Sequence, residues 1–251
     1  MMIEVCCGSY EDAINSYKGG AKRIELNGAL HLGGLTPSIA SLTLTKKNTD
    51  LKVICMVRPR GAGFCYNDIE FEQMMEDAKI LLENGADGLA FGFLNEDCTI
   101  NTERTKKMVE LIKSYNAEAV FHRAYDCVND PIKAIEALID MKVDRLLTSG
   151  LKPKAMDGKD MIKSLQEKYG DKIEILAGSG VNASNAEALI EYTNISQIHS
   201  SCKDWSNDKT TSGEYVNYCY GPDAHENDYD FVSQELVRKL VNLKNEKETM
   251  V

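Results

Sequence analysis

Six side chains of this chain could act together if the fold brings them to one place: Glu4, Cys6, Glu25, Asn27, Arg58 and His122. Glu4-x-Cys6 and Glu25-x-Asn27 repeat one device, a carboxylate and a softer polar group two residues apart. On a strand, residues two apart share a face. Arg58 and Arg60 share a parity in MVRPR, and His122 shares one with Val120 in the run ending FHRAYD. If these parities face a common interior, Glu4, Glu25, Arg58 and His122 converge. Carboxylates are costly to bury alone, and an arginine neighbour offsets much of that cost. Such a group reads either as an ion-pair layer or as a catalytic constellation, with His122 as general acid or base and a glutamate as its partner. Several titratable groups from different strands, meeting at one end of a fold, favour the second reading.

Two further segments carry polar chemistry. AGSGVNASNAEAL is a glycine-rich turn feeding a helix, and QIHSSC follows it. Backbone N–H groups and a helix dipole at such a turn suit an anion. Gly178, Ser179, Gly180 and Ser200 are expected to line that cradle, with Arg60 adding charge. The loop RGAGFCYND (60–68) could place Phe64 and Tyr66 over a ligand, or serve simply as a long connection.

These residues need elements to hold them. A repeated unit runs through the chain, in which a helical stretch ends at glycine or a polar turn and a short β-branched run follows. GGAKRIEL, NGADGLAF, MKVDRLLT and YTNISQIH are examples. This is the connection that parallel sheets require. Counting such runs predicts eight strands, at 3–7, 23–27, 52–58, 88–94, 118–122, 144–148, 173–177 and 196–200. Amphipathic stretches separate them. Phe71, Met74, Met75, Ala78, Leu81 and Leu82 share a helical face, as do Met108, Leu111 and Ile112. Asp130-Pro131 is a helix start, a cap followed by Pro at the first helical position. The last helix is expected over 231–243, before a charged tail.

Eight strand–helix units in 251 residues predict an α/β fold, a single-domain (β/α)8 TIM barrel over 1–251, because such barrels run to roughly 250 residues. The loop after the first strand, CCGSYED, has no G-x-G-x-x-G, which weakens a dinucleotide-binding reading. Ligands of these barrels bind at the C-terminal ends of the strands, where the six side chains fall. The segment 203–229, rich in Asn, Asp, Ser and Tyr, is expected as an elaborated loop at that face.

Composition limits the partners. The formal net charge is -10 and the basic residues are scattered, so nucleic acid is not expected as a partner. The longest uncharged stretch, 26–45, holds Gly33, Gly34, Pro37 and many hydroxyls, so no membrane span is expected. MMIEVCCGSYED lacks the pattern of a secretory signal, so a cytoplasmic location is expected. The eight cysteines form no C-x-x-C pair, which argues against a structural zinc site.

EVCCGSYEDA, GGAKRIELNGALHLGGLTPS, MVRPRGAGFCYND, VFHRAYD, LLTSG and AGSGV, in this order, resemble the CutC family of copper homeostasis proteins. The likeness runs from Ile3 to about Cys202. It implies a cytoplasmic barrel, a homo-oligomer, that handles copper. It also implies two cysteine ligands, one in the EVC block and one closing the IEL block. Cys6 matches the first, whereas the second position is Asn27. Cu(I) prefers thiolate or thioether donors, so an amide there speaks against a two-thiolate site. Cys7, Cys55 and Met56 are candidate replacements. Two functions are therefore expected in competition. One is Cu(I) binding at Cys6. The other is an enzyme acting on a small anionic or phosphorylated metabolite, through Glu4, Glu25, Arg58 and His122.

Overall fold

A computed structural model describes residues 1–243; the charged tail expected beyond them lies outside the described residues. Eight parallel strands close into a barrel in sequence order. They are β1 Met2–Cys7, β2 Arg23–Leu26, β3 Lys52–Met56, β4 Gly88–Phe91, β5 Glu118–Phe121, β6 Arg145–Thr148, β7 Glu174–Ala177 and β8 Gln197–Ser200. β1 closes the ring by pairing with both β2 and β8, Glu4 lying opposite Arg23 on one side and His199 on the other.

Among the described residues, eight α-helices accompany the strands: α1 Tyr10–Gly19, α2 Ile39–Asn48, α3 Asp68–Glu83, α4 Thr102–Ser114, α5 Pro131–Asp140, α6 Lys159–Tyr169, α7 Ala186–Thr193 and α8 Gln234–Asn242. Their starts follow local chemistry. Asn67 and Glu70 form a reciprocal capping box at α3, and Asp130 accepts from Lys133 N while Pro131 takes the first position of α5. Each cap satisfies N–H groups that the helix itself leaves open.

Strand alternation separates two interiors. Ile3, Val5, Cys7, Ile24, Leu26, Val53, Cys55, Leu89, Phe91, Ala119, Phe121, Leu146, Ile175 and Ile198 point outward into one continuous core with the helices. The other parity fills the barrel, and it does so in two ways. Toward β3, β4 and β5 the filling is apolar, with Ile54, Met56, Ala90 and Val120 in one cluster. Across from them it is ionic. Arg145 reaches Glu118 (3.0 Å), Glu174 (2.8 Å) and Glu4 (4.0 Å), and Arg23 Nε lies 2.6 Å from Glu4. Lys52 joins through Glu118, and Gln197 accepts from Arg23 at 2.6 Å. Glu4, Arg23 and Arg145 are buried, so each charge depends on the others for compensation.

The segment after β8 is partly paired. β9 Lys203–Asn207 and β10 Asp228–Val232 form an antiparallel ribbon, Lys203 opposite Val232. Residues 231 and 232, expected to open the last helix, belong to β10; Ser233 caps α8 instead, accepting from Leu236 N. Val232 N donates to Asp12 Oδ1 (2.8 Å), which ties the ribbon back to α1. Among the described residues, no helix is long and apolar enough to cross a membrane.

Candidate functional site

A cavity of about 470 Å³ opens at the C-terminal ends of the strands. Its floor is Cys6 from β1, Glu25 from β2, Met56 from β3 and His199 from β8, with Asn27, Arg58, His122 and Leu147 around them. The ribbon supplies an outer wall through Lys203, Trp205 and Asp230, and the segment between its strands adds Tyr220. There Tyr220 lies 5.1 Å from the His31 ring, and Trp205 stacks on His225 at 4.3 Å.

The floor is organised around His199. Its Nδ1 lies 2.9 Å from Glu4 Oε1, and its Nε2 lies 4.0 Å from Glu25 Oε2. Cys6 Sγ is 3.8 Å from the same Glu25 oxygen, and Asn27 Nδ2 donates to it at 3.0 Å. Asn27 Nδ2 also lies 3.6 Å from Cys6 Sγ. Close packing fixes that amide. A Cβ on Gly34, which has φ +84°, would stand 2.4 Å from Asn27 Oδ1, so the GG of HLGGLT is a steric requirement of the site.

Burial and charge divide the protons. Burial disfavours an ionised Glu4, yet the His199 hydrogen bond and the Arg23 charge hold its carboxyl down at about 2. Burial also disfavours the His199 imidazolium, but Cys6, Glu4 and Glu25 around it raise its basicity well above the ordinary value. Burial raises Glu25, and it pushes the Cys6 thiol up to about 11 despite the nearby His199. Both upward shifts favour the protonated forms of Cys6 and His199, which lie between the two carboxyl groups.

His122 is different. Burial, with Arg58 nearby, lowers it to about 3. Its Nδ1 accepts from Ala124 N at 3.1 Å, so the neutral ring carries its proton on Nε2. Gly92 makes room for the ring: a Cβ there would meet His122 Cε1 at 2.5 Å. At the cavity the ring thus presents an Nε2–H donor that has no partner within the described residues.

The other expected residues divide between cavity and scaffold. Arg58 lines the cavity, but its Nη1 donates to the carbonyls of Leu32, Gly33 and Gly34 and its Nη2 to Ala62. Glu4 lies beneath the floor and reaches the cavity only through His199. Arg60 does not reach it, because it pairs with Glu70 at the start of α3 and lies over Tyr66. Phe64 lines the cavity, 5.0 Å from the His122 ring, whereas Tyr66 packs edge-on against Phe93. Ser179 and Gly180 are lining residues. Gly178 instead backs onto Leu147 and His199, where a Cβ would meet Leu147 Cδ1 at 2.8 Å, and Ser200 faces the helices and donates to Val181 O at 2.6 Å. Of the four residues expected as an anion cradle, two thus line the cavity and two do not.

Three side chains could hold a metal ion. Among the described residues, one ligand atom each from Cys6, Glu25 and His199 lie within 4.8 Å of one another. Cys7 and Cys55, considered as replacement ligands, point outward into the helical core; Met56 lines the cavity. His199 escaped the sequence reading although a signal was present. In QIHSSC, apolar Ile198 marks the outward parity, which places Gln197 and His199 inward and Ser200 outward.

Comparison with known proteins gives this geometry a context. The model of the CutC family matches residues 1–204. A CutC family protein of Treponema denticola is 49% identical over 197 residues, covering 78% of this chain and 79% of that one. A human copper homeostasis protein cutC homolog is 38% identical over 202 residues, covering 80% and 73%. The CutC crystal structure from Streptococcus agalactiae superposes with a TM-score of 0.75 at 30% identity, over 80% of this chain and 98% of that one. Phosphoribosyl anthranilate isomerase from Thermotoga maritima, at 11% identity and a TM-score of 0.57, shares the fold alone.

Proposed function

The chain belongs to the CutC family of copper homeostasis proteins, and on that premise we propose that it binds one cuprous ion as cargo, at Cys6 and His199 with Glu25 beside them. The observation that carries this reading is the convergence of a thiol, an imidazole and a carboxylate within 4.8 Å. Glu4 holds Nδ1 of His199 and leaves Nε2 for an ion, the arrangement in which an outer carboxylate orients a metal-binding histidine. The sulfur and nitrogen donors suit Cu(I), and Glu25 Oε1 has no partner within the described residues. Asn27, at the position where the family resemblance implies a second thiolate, orients the sulfur and the carboxylate, and His199 supplies the second donor. Capture displaces the protons of the Cys6 thiol and of His199 Nε2. We place this work in the cytosol, carried out by a homo-oligomer, on the family likeness; light scattering of the purified protein tests the latter.

Anaerobic competition against a cuprous chelator tests the copper site. Cys6→Ser and His199→Gln should each weaken binding at least about tenfold, and Asn27→Ala should cost a comparable factor through lost orientation. Unchanged affinity in both ligand variants would remove this site from copper binding.

A further inference from the structure

The cavity is far larger than a single ion needs. About 470 Å³ lies within the range of small-molecule pockets, roughly 300–1,000 Å³, whereas one water occupies about 30 Å³ of liquid. Polar atoms of its lining also remain unpaired, away from the sulfur. His122 is 3% exposed and Arg58 5% exposed, yet His122 Nε2 has no partner within the described residues, and Arg58 Nε has none in hydrogen-bond geometry although the Tyr66 hydroxyl lies beside the guanidinium. Buried polar groups are almost always satisfied, so orphans gathered around one cavity mark where a ligand supplies the missing partners. Both of these atoms are donors. Arg58 adds a full charge, and its other nitrogens are fastened by four carbonyls, so the guanidinium cannot swing away. Phe64 packs on both, 5.0 Å from the His122 ring and 5.0 Å from the guanidinium carbon, which keeps water from screening them. Across the floor the orphan is an acceptor, Glu25 Oε1. Met56 and Leu147 offer apolar contact between the two ends.

We propose that this cavity takes a small organic oxyanion, a carboxylate or a phosphate ester, with its anionic end at His122 and Arg58 and a hydroxyl donating to Glu25. The proposal goes beyond copper binding and does not depend on it. A neutral His122 suits the role, because it donates from Nε2 over the physiological pH range without changing charge.

Isothermal titration of metal-stripped protein, with chelator present, tests it with three probes: glycerate, glycerol 3-phosphate and glycerol. One of the two anions should bind at least about tenfold more tightly than glycerol, which shares the hydroxyls and lacks the charge. Preference for glycerate identifies the carboxylate source, and preference for glycerol 3-phosphate the phosphate. His122→Phe keeps a ring against Phe64 and Gly92, removes the donor, and should weaken the favoured anion about tenfold. His122→Gln, which returns an amide N–H, should recover part of that loss. The proposal is overturned if neither anion binds more tightly than glycerol, or if His122→Phe binds as tightly as the parent. Since the protein is metal-free throughout, neither outcome bears on copper.

Discussion

Replacing Glu4 by Gln keeps the shape of the side chain and removes the charge on which the barrel interior is balanced. In the parent, Oε2 lies 2.6 Å from Arg23 Nε and Oε1 lies 2.9 Å from His199 Nδ1, with Glu4 only 1% exposed. A carboxyl held at about 2 instead of the ordinary 4.5 corresponds to about 3 kcal/mol in favour of the ionised folded state. Removing one partner of a buried pair independently suggests about 3–5 kcal/mol. Glu4→Gln should therefore lower stability by about 3 kcal/mol near neutral pH, read from urea midpoints at constant slope. The sign with pH follows from the lowered value. The contribution of Glu4 is complete above 4.5 and fades as the pH falls toward 2, so the gap between parent and variant should close over that interval. His199 works in the opposite sense. Its raised basicity stabilises the fold below about 6.5 and that gain is lost as the pH climbs through the folded-state value; in Glu4→Gln the loss should begin at lower pH. A gap below about 1 kcal/mol at neutral pH, the size expected of an exposed pair, would refute the reasoning. So would a gap that stays constant into acid.

Gly34→Ala should weaken cuprous binding without unfolding the barrel, because its Cβ would press on Asn27 Oδ1 at 2.4 Å and its φ of +84° is unfavourable for alanine; chelator competition beside a thermal melt separates the two effects. Arg60→Ala should leave binding of both copper and glycerate unchanged. It should cost at most about 1 kcal/mol, shrinking with added salt, since the Arg60–Glu70 pair is partly exposed; urea titrations at two ionic strengths check this.

The sequence made the floor of the site legible where strand alternation alone decides orientation. Glu4, Cys6 and Glu25 share the inward parity that β1 and β2 hold without a break, and Asn27, one residue past β2, keeps it because its N–H still pairs with Cys7 O. Arg60 failed the same argument because β3 ends at Met56 and the chain turns at Pro59, beyond which parity carries no meaning. Ser200 lies on the outward parity of β8, the same as Ile198, and so faces the helices. The tautomer of His122 was not legible, because burial, the Arg58 charge and Ala124 N set where its proton sits, and spacing in sequence reveals none of them. The pairing of 203–207 with 228–232 was also hidden. KDWSN and DYDFV show no clean alternation, and their register spans a long intervening segment.

That ribbon has a consequence for how such a pocket changes over time. The family model stops at residue 204, while Trp205, Tyr220 and Asp230 on the outer wall all come after it. The floor is welded into the hydrogen-bonded ring of strands, so a change there disturbs the whole barrel. The rim is a separate parcel of chain that stands outside that ring. Its outward side chains make no pairing within that ring. What the floor grips is thus fixed by the folding of the barrel, and what reaches it is set by a part of the chain that the barrel does not need in order to close.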